Sequence, residues 1–324
     1  MKINFKKILV IQTAFIGDVI LATSIVEKLN QFYPESKIDF LLRKGNESLF
    51  ENHPIINEVL IWDKKNKKYD NLKAITKSVK NANYDVVINL HRFASSGLIT
   101  ALSGAKLKLG FNKNPLSFLY TKKITHKIGD GKHEIERNQL LITNITDNQA
   151  SQPKLYPSNK DYATIEAYKK QNYACLAPTS VWFTKQLPKE QWIKLINKIN
   201  DQWNIYLLGG PNDFEQCEEI KKLSNNNAVI NLAGKLSFLE SAALMQNAKM
   251  NYVNDSAPLH ISSAMNAPVT AYFCSTVPSF GFGPLSNDST IVEVKENLKC
   301  RPCGLHGKKE CPEGHFDCGF KIKI

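Results

Sequence analysis

A chain of 324 residues exceeds what one hydrophobic core commonly serves and suits two α/β units of about 150 residues each. Hydrophobic residues make up 43% of it and charged residues 22%, enough apolar material to exclude disorder as the default. The formal charge of +12 is uneven, because residues 1–157 carry 24 Lys/Arg against 14 Asp/Glu and residues 158–324 carry 18 against 16, so the first half is expected to face an anionic partner.

In chain order, the first half alternates β-branched runs with helical patterns. Strands are expected over Lys7–Gln12, Lys37–Leu42, Val59–Asp63, Asp85–Leu90 and Leu107–Phe111, and helices over Asp18–Phe32, Asn71–Ala82, Ala94–Ser103 and His133–Thr146. Residues 112–131 are polar and weakly periodic and read as loops, while Gln152–Asn159, with its two prolines, reads as a linker. The second half repeats the alternation, with strands over Tyr173–Ala177, Asn204–Leu208, Val229–Leu232, Met250–Asn254 and Val269–Phe273. Its helices fall over Pro188–Ile199, Asp213–Leu223, Leu239–Gln246 and Ala257–Met265. The fold class is therefore α/β, with two Rossmann-like doubly wound domains facing a central cleft. No uninterrupted apolar run reaches the ~18 residues of a membrane span, and Gly17 and Asp18 break the stretch from Met1 to Thr23 that could mimic a signal peptide. A cytoplasmic chain is expected. Cys175, Cys217 and Cys274 stand singly in apolar or helical contexts, as reduced core thiols do.

Four loops carry candidate chemistry. In QTAFIGDVILAT, Gly17 lets backbone amides approach a ligand, and Asp18 sits at a helix start as an N-cap or as a carboxylate facing the cleft. In APTSVWFTKQLP, Thr179, Ser180, Thr184 and Lys185 offer hydroxyls and an ammonium to an anion. In VNDSAPLHISSA, Asp255, Ser256 and Ala257 close a strand and open a helix whose free amides suit phosphate, with His260 one turn in. In GGPNDFE, Glu215 can accept hydrogen bonds from a ribose diol. Gly-x-Gly-x-x-Gly occurs in neither half, which disfavours a nicotinamide dinucleotide enzyme, and no recognition motif accompanies the basic charge, which disfavours nucleic acid.

These segments, together with KILVIQTAFIGDVILATSIVEKLNQFYP, KQLP, NLAGKLSFLE and YVNDSAPLHISSA in that order, resemble the ADP-heptose:lipopolysaccharide heptosyltransferase family, glycosyltransferase family 9, over nearly the whole chain. The resemblance implies a GT-B architecture, with residues 1–157 binding the acceptor, residues 158–298 binding the nucleotide sugar, and residues 299–324 forming a cysteine-rich tail. It implies inverting transfer of L-glycero-D-manno-heptose from ADP-heptose to an anionic lipopolysaccharide core acceptor, without a catalytic cofactor. Asp18, beside Gly17 on the acceptor side, takes the position of the base, and Lys185, Asp255, Ser256 and Ala257 that of the diphosphate site. His260 matches the histidine of that motif, Glu215 the ribose carboxylate, and Leu236 the adenine contact. The basic first half fits peripheral contact with the cytoplasmic face of the inner membrane. The chain has Leu187-Pro188 where relatives commonly have Trp-Pro, and Ala257 where they have Gly. Another nucleotide sugar used for cell-surface polysaccharide, or a non-catalytic membrane-associated binding module, are the alternatives.

The tail CRPCGLHGKKECPEGHFDC spaces Cys300, Cys303, Cys311 and Cys318 so that four thiolates could hold one structural zinc. One or two disulfides, or free thiols, are the other readings. A closing helix that crosses back to the first domain has little room after this tail.

Overall fold

The computed structural model describes residues 4–324 and divides into two compact units. The first runs to Ile128 and resumes over Lys132–Tyr156; the second comprises Gly129–Gly131 and Pro157–Ile324.

In the first unit the elements are β1 (Lys7–Ile11), α1 (Ile16–Phe32), β2 (Lys37–Arg43), β3 (Ile56–Trp62), α2 (Lys68–Asn81), β4 (Val86–Asn89), α3 (Ala94–Leu102), β5 (Leu107–Phe111), β6 (Lys122–Ile124) and α4 (Glu134–Ile142). All strands pair in parallel in the order β3-β2-β1-β4-β5-β6. The central strands β1 and β4 are buried almost throughout, as the unbroken runs ILVI and VVIN require of strands covered on both faces. Leu9, Leu41, Trp62, Val79, Val87 and Ile99 form the core under α2 and α3.

The second unit contains α5 (Asn159–Ile165), β7 (Tyr173–Ala177), α6 (Lys189–Ile196), β8 (Asn204–Leu207), α7 (Phe214–Ser224), β9 (Val229–Asn231), α8 (Phe238–Asn247), β10 (Met250–Asn254), α9 (Ala257–Ala264), β11 (Val269–Phe273), β12 (Ser289–Glu293) and α10 (Asp317–Phe320). Its six parallel strands run β12-β11-β10-β7-β8-β9, which is the order of the first sheet repeated. In each sheet the strand order reverses between the first and fourth strands, and ligands of open α/β sheets gather at the carboxyl ends of that pair. The tail belongs to this unit's core: Phe316, Cys318 and Ile322 are buried with Trp192, Leu207 and Tyr272.

Three expectations need correction. Residues 112–131 are not all loop, because β6 adds an edge strand there; three residues with two lysines carry too little apolar signal to announce a strand. The edge strand β12, exposed at its first three residues, is a further strand that the sequence pattern did not mark. The linker ends one residue early, since Asn159 already opens α5 behind a capping box between Ser158 and Asp161. Cys175, Cys217 and Cys274 are buried free thiols as expected, with burial pushing the Cys217 thiol up to about 12.

Candidate functional site

In the second unit the switch point is fastened by one side chain. Asn254, the last residue of β10, donates from Nδ2 to the carbonyls of Pro178 at 2.9 Å and Ala177 at 3.3 Å, and its Oδ1 accepts from the Leu187 amide at 2.8 Å. Both ends of the loop after β7 are thereby tied to the end of β10. On that loop, the turn Phe183–Lys185 brings Lys185 Nζ to 2.8 Å from Asp255 Oδ2, and Thr276 Oγ1 donates to the same carboxylate oxygen at 2.7 Å. The Lys185 and Asp255 side chains are 16% and 7% exposed, so the pair is largely desolvated. Immediately beyond, Ser256 is the extended N-cap of α9 without a side-chain capping bond. A partly buried ammonium therefore stands beside the positive end of a helix at a strand's carboxyl edge, an arrangement suited to an anion.

The cysteine-rich tail grips this loop from outside. Lys308 donates its amide to Thr184 Oγ1 at 2.8 Å and accepts from the Thr184 amide at 3.1 Å. Ser275 donates its hydroxyl to Thr184 Oγ1 at 2.9 Å, and its carbonyl accepts from the Cys303 amide at 3.0 Å. Arg301 spreads its guanidinium over the carbonyls of Phe273, Cys274 and Thr276 and the Glu293 carboxylate, at 2.6 to 3.1 Å. Gly307, at φ +76°, passes so close that a Cβ there would lie 2.8 Å from Lys185 Cγ and 3.2 Å from Trp182 Cβ. Gly307→Ala is accordingly expected to displace Lys185 and weaken anion binding about tenfold, with a melting temperature lowered by only a few degrees. Comparing ligand affinity with thermal unfolding for the variant checks this.

The first unit closes its own switch point differently. Thr13, just past β1, bonds through Oγ1 to His91 Nδ1, just past β4, at 3.0 Å, and Lys64 Nζ donates to the Thr13 carbonyl at 2.7 Å. Burial, with Lys64, Arg92 and Arg43 nearby, lowers His91 to about 3, so the ring is neutral. Burial, followed by Arg43 and Lys68, lowers Lys64 to about 8. Asp18 lies half-buried in the first turn of α1 and attracts the Arg43 guanidinium, which sits 4.8 Å over the Phe15 ring. Arg92 donates to His126 Nδ1 at 3.2 Å, and His126 Nε2 in turn lies 3.1 Å from Glu134. Burial alone would raise the Glu134 carboxyl, but His126 and Arg137 hold it below its ordinary value. One carboxylate in a helix's first turn thus shares the sheet edge with Arg43, Lys64 and Arg92.

The profile of Glycosyltransferase family 9 (heptosyltransferase) matches residues 72–315. The chain belongs to glycosyltransferase family 9. Lipopolysaccharide heptosyltransferase 3 of Escherichia coli is 28% identical over 293 residues, which cover 85% of this chain and 85% of that protein. The solved family 9 glycosyltransferase of Veillonella parvula superposes with a TM-score of 0.80 at 22% identity, over 90% of this chain and 86% of that one. The E. coli ADP-heptose lps heptosyltransferase II does so with 0.78 at 20% identity, over 92% and 95%. The two parallel sheets flanked by helices are those of the GT-B fold.

Within this family 9 chain the candidate residues fall as follows. Lys185 and Asp255 meet directly, with Ser256 and Ala257 following at the start of α9. Asp255 does not cap α9, whose N-cap is Ser256; Lys185 and Thr276 meet one of its carboxylate oxygens. Thr184 turns inward, 1% exposed, its hydroxyl taken by Lys308 and Ser275, so it supports the loop rather than offering a hydroxyl. Thr179 is buried, and the Ser180 carbonyl accepts from Gln186. His260 is buried on α9, edge-on to Phe282 at 6.5 Å. Glu215 is exposed in the first turn of α7, and Leu236 is half-buried just before Ser237, the N-cap of α8. Asp18 and Gly17 share the first turn of α1, whose N-cap is Phe15, so Asp18 is not the cap. Sequence reasoning missed Thr276, Arg43, Lys64, His91 and Arg92. The last four had one signal in common, a basic residue or histidine one or two places past a predicted strand end.

Cys300, Cys303, Cys311 and Cys318 are free thiols, and Cys303 is raised by burial and by its neighbours Cys300 and Cys311. Among the described residues no group of three or more His, Cys, Asp or Glu is gathered as a metal site.

Proposed function

We propose that this glycosyltransferase moves L-glycero-D-manno-heptose from ADP-heptose to an anionic lipopolysaccharide inner-core acceptor, with inversion. The observation that carries the reading is the Lys185–Asp255 pair at the start of α9, on the switch point of the second sheet. The names of the relatives, a lipopolysaccharide heptosyltransferase and an ADP-heptose enzyme, favour the donor and acceptor class.

In this scheme the second unit holds the donor. Lys185 swings part of its charge from Asp255 to the diphosphate, and α9 receives the anion at its amino end. Glu215, in the first turn of α7, and Leu236, on the loop beyond β9, take the ribose and the adenine. The first unit holds the acceptor. Asp18 accepts the proton of the attacking hydroxyl as that oxygen bonds to the anomeric carbon; the bond from that carbon to the diphosphate oxygen breaks, and ADP leaves with the electron pair. Arg43, Lys64 and Arg92 attract the carboxylates or phosphates of the acceptor.

Lys64 makes the acceptor half testable by pH. With its free-enzyme value near about 8, its charge is present below that pH and lost above it. kcat/KM for the acceptor is therefore expected to fall as pH rises through about 8, and Lys64→Arg to flatten that fall, measured at saturating donor. Transfer itself is tested by mass spectrometry of core acceptors ending in Kdo or in heptose. One heptose added from ADP-heptose is the expected product; transfer only from a UDP- or GDP-sugar would refute the donor assignment.

We further propose that the four tail thiols hold one structural zinc ion. About one equivalent of zinc in the purified protein, lost in Cys300→Ser, is the expected result; a folded and active zinc-free protein would refute it.

A further inference from the structure

Helix α3 is built inside out. Ser96, Gly97, Ile99 and Thr100 face the interior, with the Ser96 and Thr100 hydroxyls satisfied by the carbonyls of His91 and Ser96 at 3.1 and 2.9 Å. Its outer face is apolar: Phe93, just before the helix, is 69% exposed, Leu98 37% and Leu102 50%. Against it lies the segment after β5, held by Asn114, whose Nδ2 donates to the carbonyls of His91 and Phe93 at 3.2 and 3.0 Å. Only a glycine at position 97 admits the Asn114 side chain there. That segment adds Phe118, 67% exposed, and Leu119, 48% exposed. Five large apolar side chains thus stand in water on two adjoining pieces of one unit. Scattered exposed apolar residues are ordinary; a helix that turns its polar side inward and its leucines outward is not.

The charge carried by this stretch of chain has one sign. Between Asp85 and Asp130 the chain carries seven Lys/Arg, at 92, 106, 108, 113, 122, 123 and 127, and no Asp or Glu. Lys106, Lys113, Lys123 and Lys127 are exposed. An apolar face on a stretch of chain whose only charges are cationic matches the interfacial region of an anionic bilayer, where the apolar side chains enter the acyl boundary and the lysines meet headgroup phosphates. Nucleic acid would satisfy the lysines and leave the leucines wet. The patch is also continuous with the acceptor edge, since Phe93 follows Arg92 and its ring lies 4.8 Å from the His91 ring.

We infer that α3 and the Pro115–Leu119 segment form a membrane-docking surface for anionic phospholipid, which sets the acceptor edge of the first unit at the bilayer. The choice of a bilayer rests on the proposed lipid-borne acceptor as well as on the charge, but the surface can be tested without any transfer reaction. The full chain is sedimented with vesicles of phosphatidylethanolamine and phosphatidylglycerol, and with phosphatidylcholine vesicles, at low and high salt. Binding to the anionic vesicles that falls with salt is expected. The variant Leu98→Gln/Leu102→Gln/Phe118→Gln should lose about tenfold or more in that binding, and Lys113→Glu/Lys123→Glu likewise, with ADP affinity and far-ultraviolet circular dichroism unchanged. Failure of the wild type to bind anionic vesicles, or apolar-face variants that bind as well as wild type, would overturn the inference. So would a wild-type dimer that the triple variant turns into a monomer, which would assign the face to a second copy of the chain. If ADP binding is absent while vesicle binding follows the variants, the donor reading fails and the docking surface stands.

Discussion

Asp18→Asn is expected to lower kcat by about 10²- to 10⁴-fold while leaving the affinity for ADP unchanged, the loss typical of removing a general base. The substitution keeps the size and hydrogen-bonding shape of the side chain in the first turn of α1 and removes its ability to take a proton. A carboxylate is favoured there by the helix's free amides and by the Arg43 charge. Arg43 has a second consequence. With the carboxylate gone, the guanidinium loses its partner, and acceptor anions bind as well or better, so KM for the acceptor should not rise. A fall in kcat with an unchanged or lower acceptor KM separates a lost base from a distorted acceptor site; equal loss of both would argue for distortion.

Lys185→Ala carries the second large effect, on the donor. It removes an ammonium that lies 2.8 Å from Asp255 in a largely desolvated place. Loss of a charge-assisted contact to the diphosphate costs about 1.5–3 kcal/mol, or about ten- to a hundredfold in ADP affinity. The side chain of Asp255, 7% exposed, then keeps the Thr276 hydroxyl but faces an incoming diphosphate without its ammonium partner. Repulsion thus adds to the lost attraction, and the double variant Lys185→Ala/Asp255→Asn should recover part of the affinity. Breaking a buried ion pair by removing one partner also destabilises the fold by about 3–5 kcal/mol, so the double variant should unfold at a higher temperature than Lys185→Ala alone. Calorimetric titration and thermal unfolding of the three proteins read both effects.

The parallel sheets were legible because their central strands are buried on both faces and so read as unbroken apolar runs, as in ILVI of β1 and YACLA of β7. β6 and β12 were not, because edge strands of three and five residues are half solvated and lose that signal. The loops of the proposed donor site stood out by residue type at strand ends, as amides and small polar residues there have few other uses. Which of those residues meet was not. Lys185 and Asp255 lie 70 positions apart in the numbering and are joined only because β7 and β10 are neighbours at the switch point. Thr184 shows the converse, a hydroxyl in a ligand-like loop whose partners, Lys308 and Ser275, come from a tail and a strand end that local pattern cannot associate with it. The tail also has a packing role that its cysteine spacing does not announce: Gly307 and Lys308 touch the loop after β7.

The most direct test of the proposed donor site is calorimetric titration of the protein with ADP, UDP and GDP in parallel, repeated with Lys185→Ala. Selective binding of ADP that weakens about ten- to a hundredfold in Lys185→Ala is the result expected of an adenine nucleotide held at the start of α9. Absence of ADP binding, a preference for UDP or GDP, or ADP affinity indifferent to the loss of Lys185 would contradict it.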